Sequence, residues 1–534
     1  MHLSWFCAAV LVLIFGFGIY LRLSSQKAMQ WLDDSARDVL IAEKISEERK
    51  YFQVKPESGG LPELKNSSLY FDGLSILRRL AGNREYFFIF YTLLISSSLL
   101  AAFMIGEILG GWKLGSAFLI ILAIHARLIF LQTSIYQRYL PASLILWILL
   151  VSLKVFQVKS WLRWSLLIVF AYSLFFLHHS LLTVFPIFLI VVAASLWIRL
   201  SKFNLQTRLL LTIATVLVLV YCWFLLTGSN IISIFGKVAN SQNSQMFNKF
   251  IFEQQLNELV NSVYGYKNHA FTWTLTIIAF FSLPILAWQL KSKKLFIYAV
   301  YLFSLSFVYL LGFLFDNSYF IANYYLEHYI TLLTLLLPTF FYFLAKKHDK
   351  QKYLRSLSKT FFLLAVCYAV YVNLEFRTNY EFAGAEKIYQ AVSQDANQTS
   401  LDKGYGQNWM ILDQSDWTEA GWFSPAFWFF ADSSVRGEMI GLRDVGNNLF
   451  YDSKGRVDVL YIFCHHLFDE NGKNLYDIST EYANGHCLNS FDSQTSISPY
   501  FHLAEQLKKD NYLVEHLSDL DGIIVSSSVL KVTF

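Results

Sequence analysis

Apolar runs of about 20 residues recur along most of this chain, and nothing else in the sequence constrains the fold as strongly. A run of that length can cross a bilayer as a helix, because a helix satisfies every backbone N–H and C=O within its own segment. About eleven such segments can be placed. They lie at 3–23, 86–106, 114–132, 139–157, 161–178, 180–199, 208–228, 270–290, 294–315, 327–346 and 357–376. The balance of residues agrees: 55% are hydrophobic and only 15% are charged, too apolar for an ordinary soluble domain. The expected class is an α-helical polytopic membrane bundle. The first segment, Leu3 to Leu23, has no small-residue cleavage site followed by a polar start, so it reads as a retained span. A net charge of +4 is too small to argue for a nucleic-acid partner.

Orientation follows from the basic loops. Lys154, Lys159 and Arg163 flank one loop, and Arg199, Lys202 and Arg208 another. Lys291, Lys293 and Lys294 mark a third, and Lys346, Lys347, Lys350, Lys352 and Arg355 a fourth. Eleven spans place all four on one side. Taken as cytoplasmic, that side holds the N-terminus. The loops 24–85 and 229–269 and the tail from 377 are then extracytoplasmic.

The chain therefore divides into a transmembrane domain, 1–376, and a polar C-terminal domain, 377–534. In the first outer loop, Pro56, Gly59-Gly60 and Pro62 break the chain. Leu69 to Leu80 then reads as an amphipathic helix lying flat at the interface and ending in Arg78-Arg79. In the tail, Trp409–Leu412, Val457–Cys464 and Gly522–Ser526 read as buried strands. Phe382–Val392 and Phe501–Lys509 read as helices, which makes a small α/β domain. Cys464 and Cys487 are the tail's only cysteines, and pairing between them stays open. Cys7, Cys222 and Cys367 lie within spans as packing residues. His465-His466 beside Cys464 are not expected to make a zinc site by themselves, because alternation along a strand separates neighbours onto opposite faces.

The stretch richest in chemistry is Trp31-Leu-Asp-Asp-Ser-Ala-Arg-Asp38, just past the first span. A helix from about Asp34 to Ile45 places Asp34, Arg37 and Asp38 on one face. Carboxylates one turn apart need a cation between them, and Arg37 or a divalent metal can serve. Ser35 and Asp38 also have capping-box spacing, so a plain capping role stands beside the functional one. Further polar residues cluster at the same outer ends of spans: Arg138, His178 and His179, Lys267 and His269, Glu327 and His328. Each singly can be an interface anchor. Together they suit a wet cavity opening outward. No Walker loop, dinucleotide fingerprint or paired CxxC is present.

These residues resemble those of the GT-C membrane glycosyltransferases, in the bacterial branch related to protein O-mannosyltransferases and to the aminoarabinose transferase of lipid A. The resemblance covers about the first 375 residues. It rests on the Asp-x-x-Arg-Asp element directly after the first span (Asp34, Arg37, Asp38) and on the long first outer loop. It rests further on Arg138-Tyr-Leu-Pro141, on His178 or His179, and on His328-Tyr329. The Gly-Pro-rich and Pro-Leu-Tyr-Tyr-like segments of that family are only partly echoed, by Gly59-Gly60-Leu-Pro62 and Ser68-Leu-Tyr-Phe71.

The resemblance implies inverting transfer of a sugar from a polyprenyl-phosphate donor to an acceptor on the outer face of a bacterial inner or plasma membrane. Asp34 would be the general base, with Arg37 and Asp38 beside it. Arg138, His178, His179 and His328 would neutralise the leaving phosphate. No cofactor is expected, although a divalent ion between Asp34 and Asp38 stays open. The partners implied are a lipid-linked sugar donor, membrane lipids and an envelope acceptor that is a lipid, a glycan or a protein. A flippase for a lipid-linked sugar and a ligase of whole lipid-linked glycans are the rival readings.

Overall fold

A computed structural model describes residues 5–25, 33–51, 57–58, 61–65, 68–133, 135, 137–178, 181, 184–227, 270–315, 327–376 and 395, and five strands beyond residue 408. By contacts the chain forms two compact units, 1–26 with 44–378, and 27–43 with 379–534.

The first unit is helical. It opens with α1 (Trp5–Ser25). The helix α2 (Asp33–Glu48) ends inside it. A short antiparallel hairpin of β1 (Glu57–Ser58) and β2 (Leu61–Lys65) then flanks Gly59-Gly60. The helix expected at 69–80 is α3 (Ser68–Ala81), ending in Arg78 and Arg79. Tyr70, Phe71 and Leu74 are buried, while Ile76 and Leu80 on its other face stay exposed, as suits a helix with apolar contacts on both sides.

The hydrophobic segments follow as α4 (Arg84–Ser96), α5 (Ser98–Gly110), α6 (Trp112–Ile124), α7 (Ala126–Thr133), α8 (Leu140–Val155), α9 (Trp161–Leu174), α10 (Phe185–Arg199) and α11 (Leu205–Thr227). After 269 come α12 (Ala270–Gln289), α13 (Lys293–Phe315), α14 (Glu327–Thr334), α15 (Leu336–Lys347) and α16 (Lys352–Phe376). Each expected segment falls on one of these helices or on a consecutive pair. Among the described residues, six stretches are long and apolar enough to cross a membrane: Cys7–Ser25, Tyr86–Gly110, Phe185–Lys202, Leu205–Trp223, Tyr329–Lys347 and Lys352–Tyr371. The helices α8 and α9 and the stretch Trp273–Gln289 of α12 are shorter and also apolar.

Local chemistry sets several boundaries. Asn83 caps α4 by accepting the Tyr86 N–H (2.8 Å). Pro141 and Pro186 stand in the first turns of α8 and α10, where the missing N–H has no intrahelical partner to lose. Pro338 has no N–H for the Thr334 carbonyl, and the helix is interrupted there, between α14 and α15. Gly106 and Gly115 let α5 and α6 touch backbone to backbone. A Cβ on Gly106 would lie 2.7 Å from Gly115 Cα and from the Leu114 carbonyl oxygen, the close approach small residues allow between membrane helices.

The turns between helices gather the basic residues at one end of this unit. Lys294 Nζ donates to the Ile108 carbonyl (3.1 Å), which ties the α12–α13 turn to the α5–α6 turn. Tyr342 of α15 donates to the Gly110 carbonyl of that same turn. Arg199 donates to the Val155 (3.1 Å) and Val158 carbonyls, which joins the end of α10 to the α8–α9 loop. One end therefore collects Lys154, Lys159, Arg199, Lys291, Lys293, Lys294, Lys346 and Lys347, as the topology expected.

The second unit contains β3 (Trp409–Asp413), β4 (Gly437–Gly441), β5 (Val459–Phe463), β6 (Leu513–His516) and β7 (Val529–Thr533). They form one mixed sheet in the order β4-β3-β5-β7-β6. The pairs β3–β4 and β3–β5 are parallel; β5–β7 and β6–β7 are antiparallel. Strands expected at 409–412 and 457–464 are β3 and β5. The strand expected at 522–526, the helices expected at 382–392 and 501–509, and Cys464, His465, His466 and Cys487 lie outside the described residues.

Candidate functional site

The expected third span, read from sequence as continuous, is broken. The axes of α6 and α7 meet at 67°. No proline or glycine stands at 121–130, so the bend has another cause. It is Arg22, near the end of α1, which is fully buried. Its Nη1 donates to the carbonyls of Gly18 (2.8 Å) and Ala123 (2.9 Å). Its Nη2 donates to the Leu122 carbonyl (2.9 Å), and its Nε to Gln132 Oε1 (2.5 Å). Leu122 and Ala123 lie in the last turn of α6, whose carbonyls lack intrahelical partners and carry partial negative charge. The guanidinium supplies both the donors and the opposite charge. Gly18 allows the approach, since a Cβ there would sit 2.9 Å from that of Ala123.

His125 completes the break. Its backbone is extended, at φ −63° and ψ 109°. Its Nδ1 accepts the Leu128 N–H (3.3 Å), acting as N-cap for α7. Nδ1 as acceptor leaves the proton on Nε2, which lies 3.3 Å from Thr334 Oγ1 on α14. Gln132 passes the network on, donating to Ser98 Oγ (2.9 Å) on α5 and to Ser143 Oγ (2.7 Å) on α8. Five helices, α1, α5, α6, α7 and α8, are thus joined through two side chains.

This scaffold leads into the expected phosphate-binding segments. After α7 comes a 3-10 turn, Gln137–Tyr139, that holds Arg138. Gln137 Nε2 donates to the Leu177 carbonyl (2.9 Å), which places the Arg138 turn beside the segment ending in His178. His178 is buried. On α14, Thr331 Oγ1 donates to the Ala142 carbonyl of α8 (3.0 Å). His328 precedes Thr331 by about one turn, and Arg138 precedes Ala142 by about one turn. At the level of the backbone, the segments bearing Arg138, His178 and His328 meet at the end of the bundle opposite the basic turns. The side chains of Arg138, His179 and His328 are outside the described residues.

Asp34, Arg37 and Asp38 all lie on α2, and the helix starts at Asp33, one residue before the expected start. Asp38 is fully buried, as are Val39 and Ala42 on the same helix, and it has an interaction partner. The side chains of Asp34 and Arg37 are outside the described residues. Among the described residues, no three His, Cys, Asp or Glu side chains come together as a metal site would require.

Sequence reasoning passed over Arg22, His125 and Gln132. It also passed over Asp72, a 3% exposed acid within α3. For Arg22 a signal existed: a charge inside an apolar segment rather than beyond it. His125 had none, since a lone histidine in an apolar run looks like a packed one.

No protein-family model and no curated protein sequence matches this chain. Solved structures do match its fold. ArnT from Cupriavidus metallidurans in the apo state aligns over 98% of this chain and 98% of its own, at 12% identity and a TM-score of 0.51. The Archaeoglobus fulgidus oligosaccharyltransferase AglB, in complex with an inhibitory peptide and a dolichol-phosphate, aligns over 97% of this chain and 80% of its own, at 11% identity and a TM-score of 0.51. An Archaeoglobus fulgidus oligosaccharyltransferase tethered with an acceptor peptide containing the NVT sequon aligns over 86% of this chain and 69% of its own, at 10% identity and a TM-score of 0.51. The chain is similar to these proteins in fold.

Proposed function

We propose that this protein is a membrane glycosyltransferase that moves a sugar from a polyprenyl-phosphate donor to an acceptor on the outer face of the membrane. One observation supports the reading: the backbones of three segments, whose Arg138, His178 and His328 are expected from sequence to meet a phosphate, come together at one end of the bundle, opposite the basic turns. The fold shared with ArnT and with an oligosaccharyltransferase that binds dolichol-phosphate supports the same donor class.

In this reading the basic end is cytoplasmic, eleven spans cross the membrane, and the 377–534 region is an extracytoplasmic α/β domain that helps select the acceptor. Asp34 takes the proton from the attacking hydroxyl or amine. The anomeric carbon passes through an oxocarbenium-like state, and attack opposite the leaving group inverts it. The leaving group is a phosphate, which departs without a general acid. Arg138, His178, His179 and His328 neutralise it. Arg37 and Asp38 orient Asp34. Arg22 is engaged by four acceptors, so its part is to hold the α6–α7 break that precedes Arg138.

The test is turnover of purified protein with a panel of polyprenyl-phosphate sugars, read as sugar released to water or acceptor. Asp34→Asn barely changes side-chain volume and should reduce turnover at least 100-fold while leaving abundance and thermal stability intact. Near-normal turnover in that variant would remove Asp34 as base. Movement of an intact lipid-linked sugar across vesicles, with none consumed, would favour a flippase instead.

A further inference from the structure

A second site lies at the basic end, away from the segments just described. The helices α10, α12 and α13 flank an open groove of about 790 Å³, within the range of small-molecule sites. Ile190, Val191 and Ala194 of α10 line one side, Phe296 and Val300 of α13 another, and Lys291 and Lys293, at the α12–α13 turn, also line it.

Three features say what fills it. Its wall faces the bilayer: Ile190 is 65% exposed, and Trp288, also in the lining, is 78% exposed. Tryptophan and lysine together mark the headgroup level of a membrane, so the groove runs from that level into the hydrocarbon. Finally, the two lysines are unengaged among the described residues. Neighbouring Lys294 donates to the Ile108 carbonyl, and Arg199 is held by carbonyls and by the rings of Trp161 and Trp164. The ammonium groups of Lys291 and Lys293 have no partner among the described residues. Basic pockets between membrane helices on the cytoplasmic side are suited to anionic headgroups.

We infer that this groove is a binding site for one anionic phospholipid of the bilayer, with an acyl chain along α10 and α13 and its phosphate at Lys291 and Lys293. The site requires both parts: an apolar trough for the chain and two cations for the headgroup. It is independent of the sugar-transfer reading.

The experiment is native mass spectrometry of the full-length protein in mild detergent, titrated separately with phosphatidylglycerol, phosphatidylcholine and undecaprenyl phosphate. The wild type should retain one phosphatidylglycerol tightly and phosphatidylcholine at least tenfold more weakly. In Lys291→Ala/Lys293→Ala the affinity of that tightest site should fall about 25-fold, since each basic residue near an anionic headgroup is worth about fivefold. Ala194→Trp, which fills the trough and leaves both lysines, should remove the same lipid. Lys350→Ala/Lys352→Ala, at the same end but outside the groove, should change affinity less than twofold. Equal retention of the two phospholipids would overturn the assignment, as would an unchanged double variant. Retention of undecaprenyl phosphate alone would overturn it in favour of a carrier-lipid site.

Discussion

Two stretches of nearly equal apolarity have opposite surroundings. Leu205–Trp223 of α11 has a mean hydropathy of 1.8, and none of its most apolar 18-residue window is buried. Tyr329–Lys347, spanning α14 and α15, has a mean hydropathy of 1.5, and 83% of its window is buried. Apolarity brings both into the membrane but does not decide which one is central, because lipid tails are as apolar as leucine. Threonines show what does decide. Thr215 of α11 donates to the Leu211 carbonyl of its own helix (2.8 Å). Thr331 of α14 donates to Ala142 on α8, and Thr334 meets His125 at the α6–α7 break. Thr334 also donates to the Ile330 carbonyl of its own helix (2.9 Å), so what sets the buried stretch apart is the added contact to a second helix made by Thr331 and Thr334.

The sharpest way to break this contrast is Arg22→Leu. It leaves the carbonyls of Leu122 and Ala123 and the amide of Gln132 without their donor. A loss on the order of 3 kcal/mol is expected, measured as a lowered unfolding midpoint in detergent. Gly106→Leu comes next. The backbone of Gly115 leaves no room for the side chain, so α5 and α6 must part, at about 2 kcal/mol. Thr334→Val removes one interhelical contact and should cost about 0.6 kcal/mol, the average for such bonds in a membrane protein. Leu210→Ala on lipid-facing α11 should stay within about 0.5 kcal/mol of the parent. If Leu210→Ala proved costlier than Thr334→Val, the division into a bonded centre and a lipid-facing periphery would fail.

Much of this was legible before any coordinates. The apolar segments, the α2 and α3 helices between the first two apolar segments, and strands β3 and β5 all rest on short-range pattern, which sequence carries directly. The gathering of basic turns at one end follows from counting spans. The Arg138, His178 and His328 segments were chosen because polar residues near span ends are expensive unless used, and their backbones do converge. The break at His125 was not legible. Its cause lies about a hundred residues away, in an arginine that fits only because Gly18 admits α1 against Ala123.

The sequence by itself determined that the chain enters a membrane as many helices and where those helices lie. Burial in lipid satisfies each helix separately, and that is a property of one segment at a time. Only the tertiary structure decided which helices form the centre, where a span bends, and which segments meet at the end opposite the basic turns. Those outcomes depend on carbonyls and side chains finding partners on other helices, and a linear pattern of hydropathy holds no record of that pairing.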